Sequence, residues 1–517
     1  MHVLISVMGM PWSRYPEGLK LSALLDEDVG QYSRWSRVSY VIDDYSQRSL
    51  TTVPVLYNYI ASRYRAPPEK TVVIVQDTAV VKVSGISGDY SSLLSVVEEV
   101  YREFLEDQGV GKGLEVFVAP GVGKFKNMLL SRGKEVPIVV DVCGSLADFQ
   151  QVVVLQLAQT LLKIVDGISV GEELVAHLDL SHGVNYVPVL TRAILLELLS
   201  IVASYSTAKS VVMRVYNSEP VMRDVPKDFY TIHVVEEVRL KSDGKYSSPP
   251  LLEGVEGRVR LFIANRVCCP REQRSTVGKA ASKASEELAK ELGLNPVDMV
   301  NAFAGSLLNG LPLLALEAMP SVSLERFVSS VLELYKQFVK VSRTEQDQQI
   351  KIRVVKSVEL TEQVKALAKI LLAKELVSRL IREGYDYEHG VKLDTIGKAT
   401  ELLYSWSERL KITISYDYGW IRNKIEEKLQ GNVLWTRLVD VIEPEKSDKC
   451  AEELKHINER NFERNFLQHS GLQDCVTEVM AEDKRVYRIR YAKSVVEDLE
   501  LRKKIYEFAS KGLVKVC

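Results

Sequence analysis

Charge of one sign is the first thing this chain lacks. Its 67 Lys and Arg stand against 69 Asp and Glu, a formal net charge of -2. A balance so even gives no global attraction to nucleic acid, so any polyanion must be met by a local basic groove. Cysteine is scarce too. Cys143, Cys268, Cys269, Cys450, Cys475 and Cys517 form no C-x-x-C pair and no metal-ligand spacing, so reduced thiols and no metal site are expected. Long hydrophobic runs are missing: the most apolar helical stretches contain Gln159, Lys163, Asn309 or Pro312, and no membrane span is expected. The opening Met1-His-Val-Leu-Ile-Ser-Val-Met8 has no basic segment and reads as a strand, so no signal peptide is expected and the cytoplasm is the expected location. A phosphate loop is absent as well. In Gly121-Val-Gly123-Lys124-Phe125, Val118 stands where the first glycine of that pattern belongs, and Phe125 replaces the Ser or Thr for magnesium. Asp43-Asp44 reads as a solvated loop.

What is present is an ordinary globular composition, 46% hydrophobic and 26% charged over 517 residues, too long for one core. Residues 1–240 alternate β-branched runs with helical patterns, the signature of a Rossmann-like α/β sheet. Strands are expected at Val3–Val7, Thr71–Val75, Leu114–Val118, Val136–Asp141, Leu174–Leu180, Val211–Val215 and Ile232–Val238. Helices fit Thr52–Arg63, Tyr90–Leu105, Leu146–Val165 and Val187–Tyr205. Turn formers at 241–260 mark a boundary, and helical periodicity then dominates to the end. A linker and helix-turn-helix-like region is expected over 241–345, and an all-α domain over 346–517. In the former, Glu286–Phe303 has Gly293 in the turn and Pro296 at the start of the second helix. That second helix carries Asp298 and no Lys or Arg, which favours packing over reading bases.

Ligands of parallel sheets bind at the carboxyl ends of the strands, and two such ends stand out. One is Gly9-Met10 after the first strand. The other is Asp179-Leu-Ser181-His182-Gly183-Val-Asn185-Tyr186, before the helix near Pro188. There Gly183 permits close backbone approach, the helix start offers free N–H groups, and Ser181, His182 and Asn185 add polar groups. A plain strand-to-helix turn capped by Asp179 or Asn185 explains the same composition. Lys124 is at most a further ligand contact.

The sharpest pattern lies near the C-terminus, in Arg460-Asn461-Phe-Glu-Arg464-Asn465-Phe-Leu-Gln-His469, within a stretch from Asp448 to Leu472 that reads as one amphipathic helix. Arginine grips a phosphoryl oxygen and histidine moves a proton near neutral pH. An Arg-x4-His spacing alone arises about half a time by chance, but requiring Asn after the Arg lowers this to roughly one in a hundred. Arg382 to His389 is a competitor on a helix end and loop. On one helix, Arg464 and His469 are separated by about 140° and 7.5 Å. One helix is therefore a poor site, and two crossing about a two-fold axis could build one cleft. Arg460 and Asn461, nearly one turn earlier, are candidate RNA contacts, though a solvated face explains them as well.

Arg464-Asn465-x3-His469 resembles the Arg-x(4–6)-His signature of HEPN ribonucleases, and Asp179-Leu-Ser181-His182-Gly183 resembles the Asp-x-Thr-His-Gly motif of CARF proteins, with Ser181 for Thr. In this order they resemble the CARF–HEPN ancillary ribonucleases of type III CRISPR systems, the Csx group. The resemblance implies a metal-independent, single-stranded RNA endoribonuclease leaving 2′,3′-cyclic phosphates, with Arg464, Asn465 and His469 catalytic. It also implies a homodimer through both domains, with higher oligomers open, and no cofactor beyond an activating cyclic oligoadenylate, the tetramer foremost, held by Gly9, Met10, Ser181, His182, Gly183, Asn185 and Lys124. Two alternatives stand beside it: a nucleotide-sensing transcription regulator, and a CARF domain that cuts its own ligand.

Overall fold

A computed structural model of the chain describes residues 1–517 apart from 132, 185, 222–226, 347, 430–431, 458–459 and 483–485. Its centre is β1 (His2–Met8), buried along almost its whole length. A strand that is apolar on both faces must be covered on both, which suits the middle of a parallel sheet. Around it the chain lays down β2 (Val38–Ile42), β3 (Tyr45–Ser49), α1 (Thr52–Tyr64), β4 (Lys70–Gln76), α2 (Tyr90–Asp107) and β5 (Leu114–Ala119). The hairpin β6 (Gly123–Ser131) and β7 (Lys134–Cys143) follows, then α3 (Leu146–Asp166), β8 (Glu173–His182), α4 (Val187–Tyr205), β9 (Ser210–Ser218) and β10 (Tyr230–Ser242). The sheet order is β3-β2-β10-β9-β8-β1-β4-β5. From β9 through β8, β1 and β4 to β5 the pairing is parallel, and β10 runs antiparallel to β9. Every expected strand and helix of this half is present. Val187–Tyr205 is long and apolar enough to cross a membrane, which the sequence reading overlooked. It is a core helix here, with Leu195, Leu198, Leu199 and Ile201 fully buried.

The middle of the chain departs from expectation. After α5 (Arg274–Glu291), α6 (Val297–Asn309) and α7 (Leu324–Gln337) come two strands, β11 (Val339–Gln346) and β12 (Gln349–Lys356). They join the earlier hairpin in a second sheet, ordered β11-β12-β7-β6, with β12 parallel to β7. Helical periodicity therefore does not run unbroken past residue 260. Gln349-Ile-Lys-Ile-Arg-Val-Val-Lys356 alternates with period two, a strand pattern hidden between long helices. At the end of β12, Lys356 is fully buried and lies 2.7 Å from the equally buried Asp77, just past β4. Its ammonium also donates to the Gly121 carbonyl at 2.7 Å. Removing either partner of such a pair strands a charge in the core, so this contact locks the second sheet to the first.

The helix-turn-helix-like stretch folds as α5 and α6, but α6 is a core helix. Asn301 exchanges two hydrogen bonds with the backbone of Val255, and a Cβ on Gly305 would meet the Ala509 carbonyl at 2.2 Å. A helix so enclosed cannot enter a DNA groove.

The last third contains α8 (Glu362–Leu380), β13 (Val391–Lys392), α9 (Leu393–Leu403), α10 (Glu408–Lys428), β14 (Val433–Arg437), α11 (Ser447–Lys455), α12 (Arg460–Gln468), β15 (Thr477–Glu482), β16 (Val486–Tyr491) and α13 (Leu499–Ala509). Two expectations are corrected. The region is not all-α, because β13-β16-β15-β14 form an antiparallel sheet. The helix expected over 448–472 is two helices, with α11 ending at Lys455. Cysteine pairing is a third correction: Cys143–Cys268 and Cys450–Cys475 are disulfides, while Cys269 and Cys517 are free. Their Cα separations of 5.5 and 5.3 Å suit a bridge, and nothing in the sequence spacing announces it.

Candidate functional site

At the carboxyl ends of β1 and β8, Asp179 is fully buried and accepts four hydrogen bonds. The donors are the hydroxyls of Ser6 at 3.0 Å, Thr52 at 2.7 Å and Ser181 at 2.6 Å, and the Ser181 amide at 3.0 Å. The aspartate thus shapes the loop rather than facing a ligand. Ser181 also accepts from the Ser218 amide at 3.0 Å, so its hydroxyl is engaged on both sides. His182 Nε2 accepts from the Thr52 amide at 3.2 Å and its ring lies 4.4 Å from that of Trp35. Burial pushes this imidazole below its ordinary range against the pull of Asp179. It is neutral near pH 7, with its proton on Nδ1.

The glycines here serve packing. A Cβ on Gly9 would come within 2.7 Å of Val184, and one on Gly183 within 2.4 Å of Pro188 and 2.6 Å of Val7. The Gly9 amide donates to the His182 carbonyl at 2.8 Å, joining the two expected stretches in one mouth. Met10 is half-buried against the core, and Asn185 lies outside the described residues. Lys124 is exposed on β6 in the second sheet, opposite Asp141. Sequence reasoning missed Ser6, Trp35 and Thr52; a Thr-Thr pair opening a helix was the one available signal.

At the other end of the chain, α12 is fixed by Phe462 and Phe466, buried with their rings 6.2 and 6.4 Å from Phe508. The helix stops through two left-handed residues, Ser470 (φ 56°) and Gly471 (φ 72°), with the Gly471 amide donating to the Phe466 carbonyl at 2.9 Å. Gly471 is suited to that conformation, while Ser470 adopts it at some cost. Asn465 and His469, one turn apart, line a cavity of about 390 Å³ together with Asp417, Trp420, Gln473 and Asp474. From α10, Asp417 reaches the pair: one carboxylate oxygen accepts from Ser470 Oγ at 3.0 Å and the other lies 3.7 Å from His469 Nδ1. At 3.7 Å the latter is a charge pair rather than a formed hydrogen bond. The neighbouring Asp417 carboxylate raises the imidazole above its ordinary value, with partial burial opposing and Asp474 assisting.

Arg464 does not line this cavity. It is exposed and has no hydrogen-bond or ion-pair partner among the described residues. The cavity wall itself carries Asp417, Glu443, Glu453 and Asp474 against Lys446 and Lys449, four carboxylates to two lysines. One chain therefore assembles Asn465, His469 and Asp417, and leaves Arg464 outside. Asn461 is exposed, and the Arg460 side chain lies outside what is described. The competitor stretch is a turn, as expected, with His389 bonded to Asp386 at 2.7 Å. Cys450, Asp474 and Cys475 cluster closely enough for a metal ion, but the two sulfurs are joined to each other. Asp417 was invisible to the motif, because only tertiary packing brings α10 to α12, whereas Ser470 and Asp474 follow His469 closely but lie outside the Arg-x4-His pattern.

The first half of the chain can now be classed. Residues 24–220 match the family model for the CARF domain of the CRISPR system endoribonuclease Csx1, and this segment is a CARF domain. The similarity extends beyond it. Over 508 residues, 93% of this chain, it is 25% identical to a CRISPR system endoribonuclease Csx1 from Methanocaldococcus jannaschii, covering 94% of that protein.

Proposed function

We propose that the protein is a CRISPR-associated, metal-independent endoribonuclease of the HEPN type. It cuts single-stranded RNA when a cyclic oligoadenylate, foremost the tetramer, occupies the CARF mouth across a dimer axis. The observation that carries the nuclease reading is a divided site: His469 sits beside Asp417 in a cavity, and Arg464 on the same helix lies outside it with no partner among the described residues. A second copy supplies the missing guanidinium if two α12 helices cross. The RNA 2′-hydroxyl attacks its neighbouring phosphorus, His469 moves a proton, and Arg464 steadies the charge that builds on phosphorus. Asn465 orients the phosphate or the imidazole, and Asp417 positions His469. A 2′,3′-cyclic phosphate and a 5′-hydroxyl result, and DNA, lacking the nucleophile, is not cut. The whole-length similarity to a Csx1 endoribonuclease supports this reading.

His469→Ala and Arg464→Ala should each lower RNA cleavage by about a hundred-fold or more. Mixing the two variants should restore part of it through mixed dimers with one intact site. Wild-type rates in either single variant would overturn the assignment. Cleavage measured across a panel of cyclic oligoadenylates tests the switch: equal rates with and without activator would remove the regulatory half.

A further inference from the structure

The substrate must be held by something other than the cleavage cavity. Four carboxylates against two lysines give that cavity no attraction for a phosphate chain, and the protein as a whole is at net charge -2. A polyanion is gathered by local clusters of unpaired cations. The second sheet carries such a cluster on one face, and its register shows how it is built.

Paired residues on neighbouring strands share a face, and alternate residues along a strand point the same way. One rung runs Lys126, Val139, Lys351, Thr344 across β6, β7, β12 and β11. The next runs Lys124, Asp141, Arg353, Ser342, and the third carries Cys143, Val355 and Lys340. Lys124, Lys126, Lys340, Lys351 and Arg353 are all exposed. None makes an ion pair among the described residues. The opposite face, with Ile138, Val140, Ile352 and Val354, is buried, so these cations project from the other side of the sheet, where Lys340 and Arg353 border a cavity shared with Asp89 and Glu333. Two acids share their face: Asp141 lies between Lys124 and Arg353, and Glu135 pairs with Arg14 at 2.9 Å. Like charges gathered on one sheet face repel each other, and on these rungs Asp141 is the one carboxylate set against the five cations. Successive rungs stand about 6.8 Å apart and strands about 4.8 Å apart, a spacing that successive phosphates of an extended strand can follow.

We infer that this face is a docking surface for the sugar–phosphate backbone of single-stranded RNA. The choice of RNA rests on the nuclease reading above. No aromatic residue occupies these rungs, so bases have nothing to stack on. Binding is therefore to the backbone, tolerant of sequence and steeply salt-dependent.

The test uses the full chain and a short labelled 2′-O-methyl RNA, which 2′-hydroxyl chemistry cannot cut. Lys126→Glu, Lys351→Glu and Arg353→Glu combined should weaken binding at low salt by at least about ten-fold, and should lower the log–log salt slope by about 2 if three phosphate contacts are lost. The charge-preserving triple Lys126→Arg, Lys351→Arg and Arg353→Lys should bind as the wild type does. Unchanged affinity and slope in the acidic triple would overturn the inference, as would loss of binding in the charge-preserving one. So would an acidic triple that loses duplex DNA while keeping the single strand. Because the probe is not cleaved, a nuclease reading that fails at His469 leaves this measurement intact.

Discussion

The mouth at the end of β8 and the cavity at the end of α12 each set a histidine near an aspartate, and burial sends the two pairs opposite ways. At the mouth, Asp179 is fully enclosed and its oxygens accept from Ser6, Thr52 and Ser181. His182 is half-buried, and desolvation there outweighs the aspartate's charge, so the imidazole stays neutral. In the cavity, His469 is half open to solvent, Asp417 keeps one oxygen toward it, and the charge outweighs burial. The first pair is a scaffold complete within one chain. The second joins one carboxylate to a half-exposed imidazole, with Arg464 of the same helix outside the cavity. A histidine beside an aspartate thus says little until burial is known.

The largest effect on folding should come from breaking the scaffold. Asp179→Ala removes the acceptor of four hydrogen bonds and leaves two buried hydroxyls and the Ser181 amide unmatched. A loss of about 3 kcal/mol in urea unfolding is expected. The comparable change in the cavity, Asp417→Ala, should lose less, about 1–2 kcal/mol, from the Ser470 hydroxyl left without its acceptor, since the pair with the half-exposed histidine adds little. Equal losses at the two sites would erase the contrast.

How much of this could be read from residues alone divides along the same line. β1, β4, β8 and the helices between them were legible because each buries a local pattern. Arg464, Asn465 and His469 were legible because they share one helix. Asp417 was not, since it stands on another helix far back in sequence, and no periodicity connects them. Nor was the second sheet, whose β6–β7 hairpin and β11–β12 hairpin lie some two hundred residues apart and meet only in three dimensions. The disulfides and the break between α11 and α12 failed for the same reason: each is decided by packing, which short patterns do not encode.

A smaller effect should sharpen the cavity's half of the contrast. For a histidine with a raised pKa, the stabilising pair is fully present below the ordinary value near 6.5 and is lost as pH rises through the raised one. Asp417→Asn removes the leading cause of that rise. If His469 acts as its cation, the alkaline limb of the RNA-cleavage profile should move to lower pH, with the best rate down by about ten-fold. Asp417→Glu should return part of the shift. An unmoved limb with a reduced rate would make Asp417 a structural residue only.

The smallest effect belongs to Ser470, and there two terms nearly cancel. A serine at φ 56° is held in a left-handed conformation that is unfavourable by about 1 kcal/mol. Its hydroxyl returns about as much through the bond to Asp417. Ser470→Gly relieves the first and loses the second, so urea unfolding should change by less than about 0.5 kcal/mol. Ser470→Ala keeps the strain and loses the bond, and should fall by about 1 kcal/mol. Both variants leave Asp417 with His469 as its one remaining partner among the described residues, so the two should share one cleavage pH profile despite differing in stability. If their profiles differ, the backbone at the helix end, and not the hydroxyl, aims the aspartate.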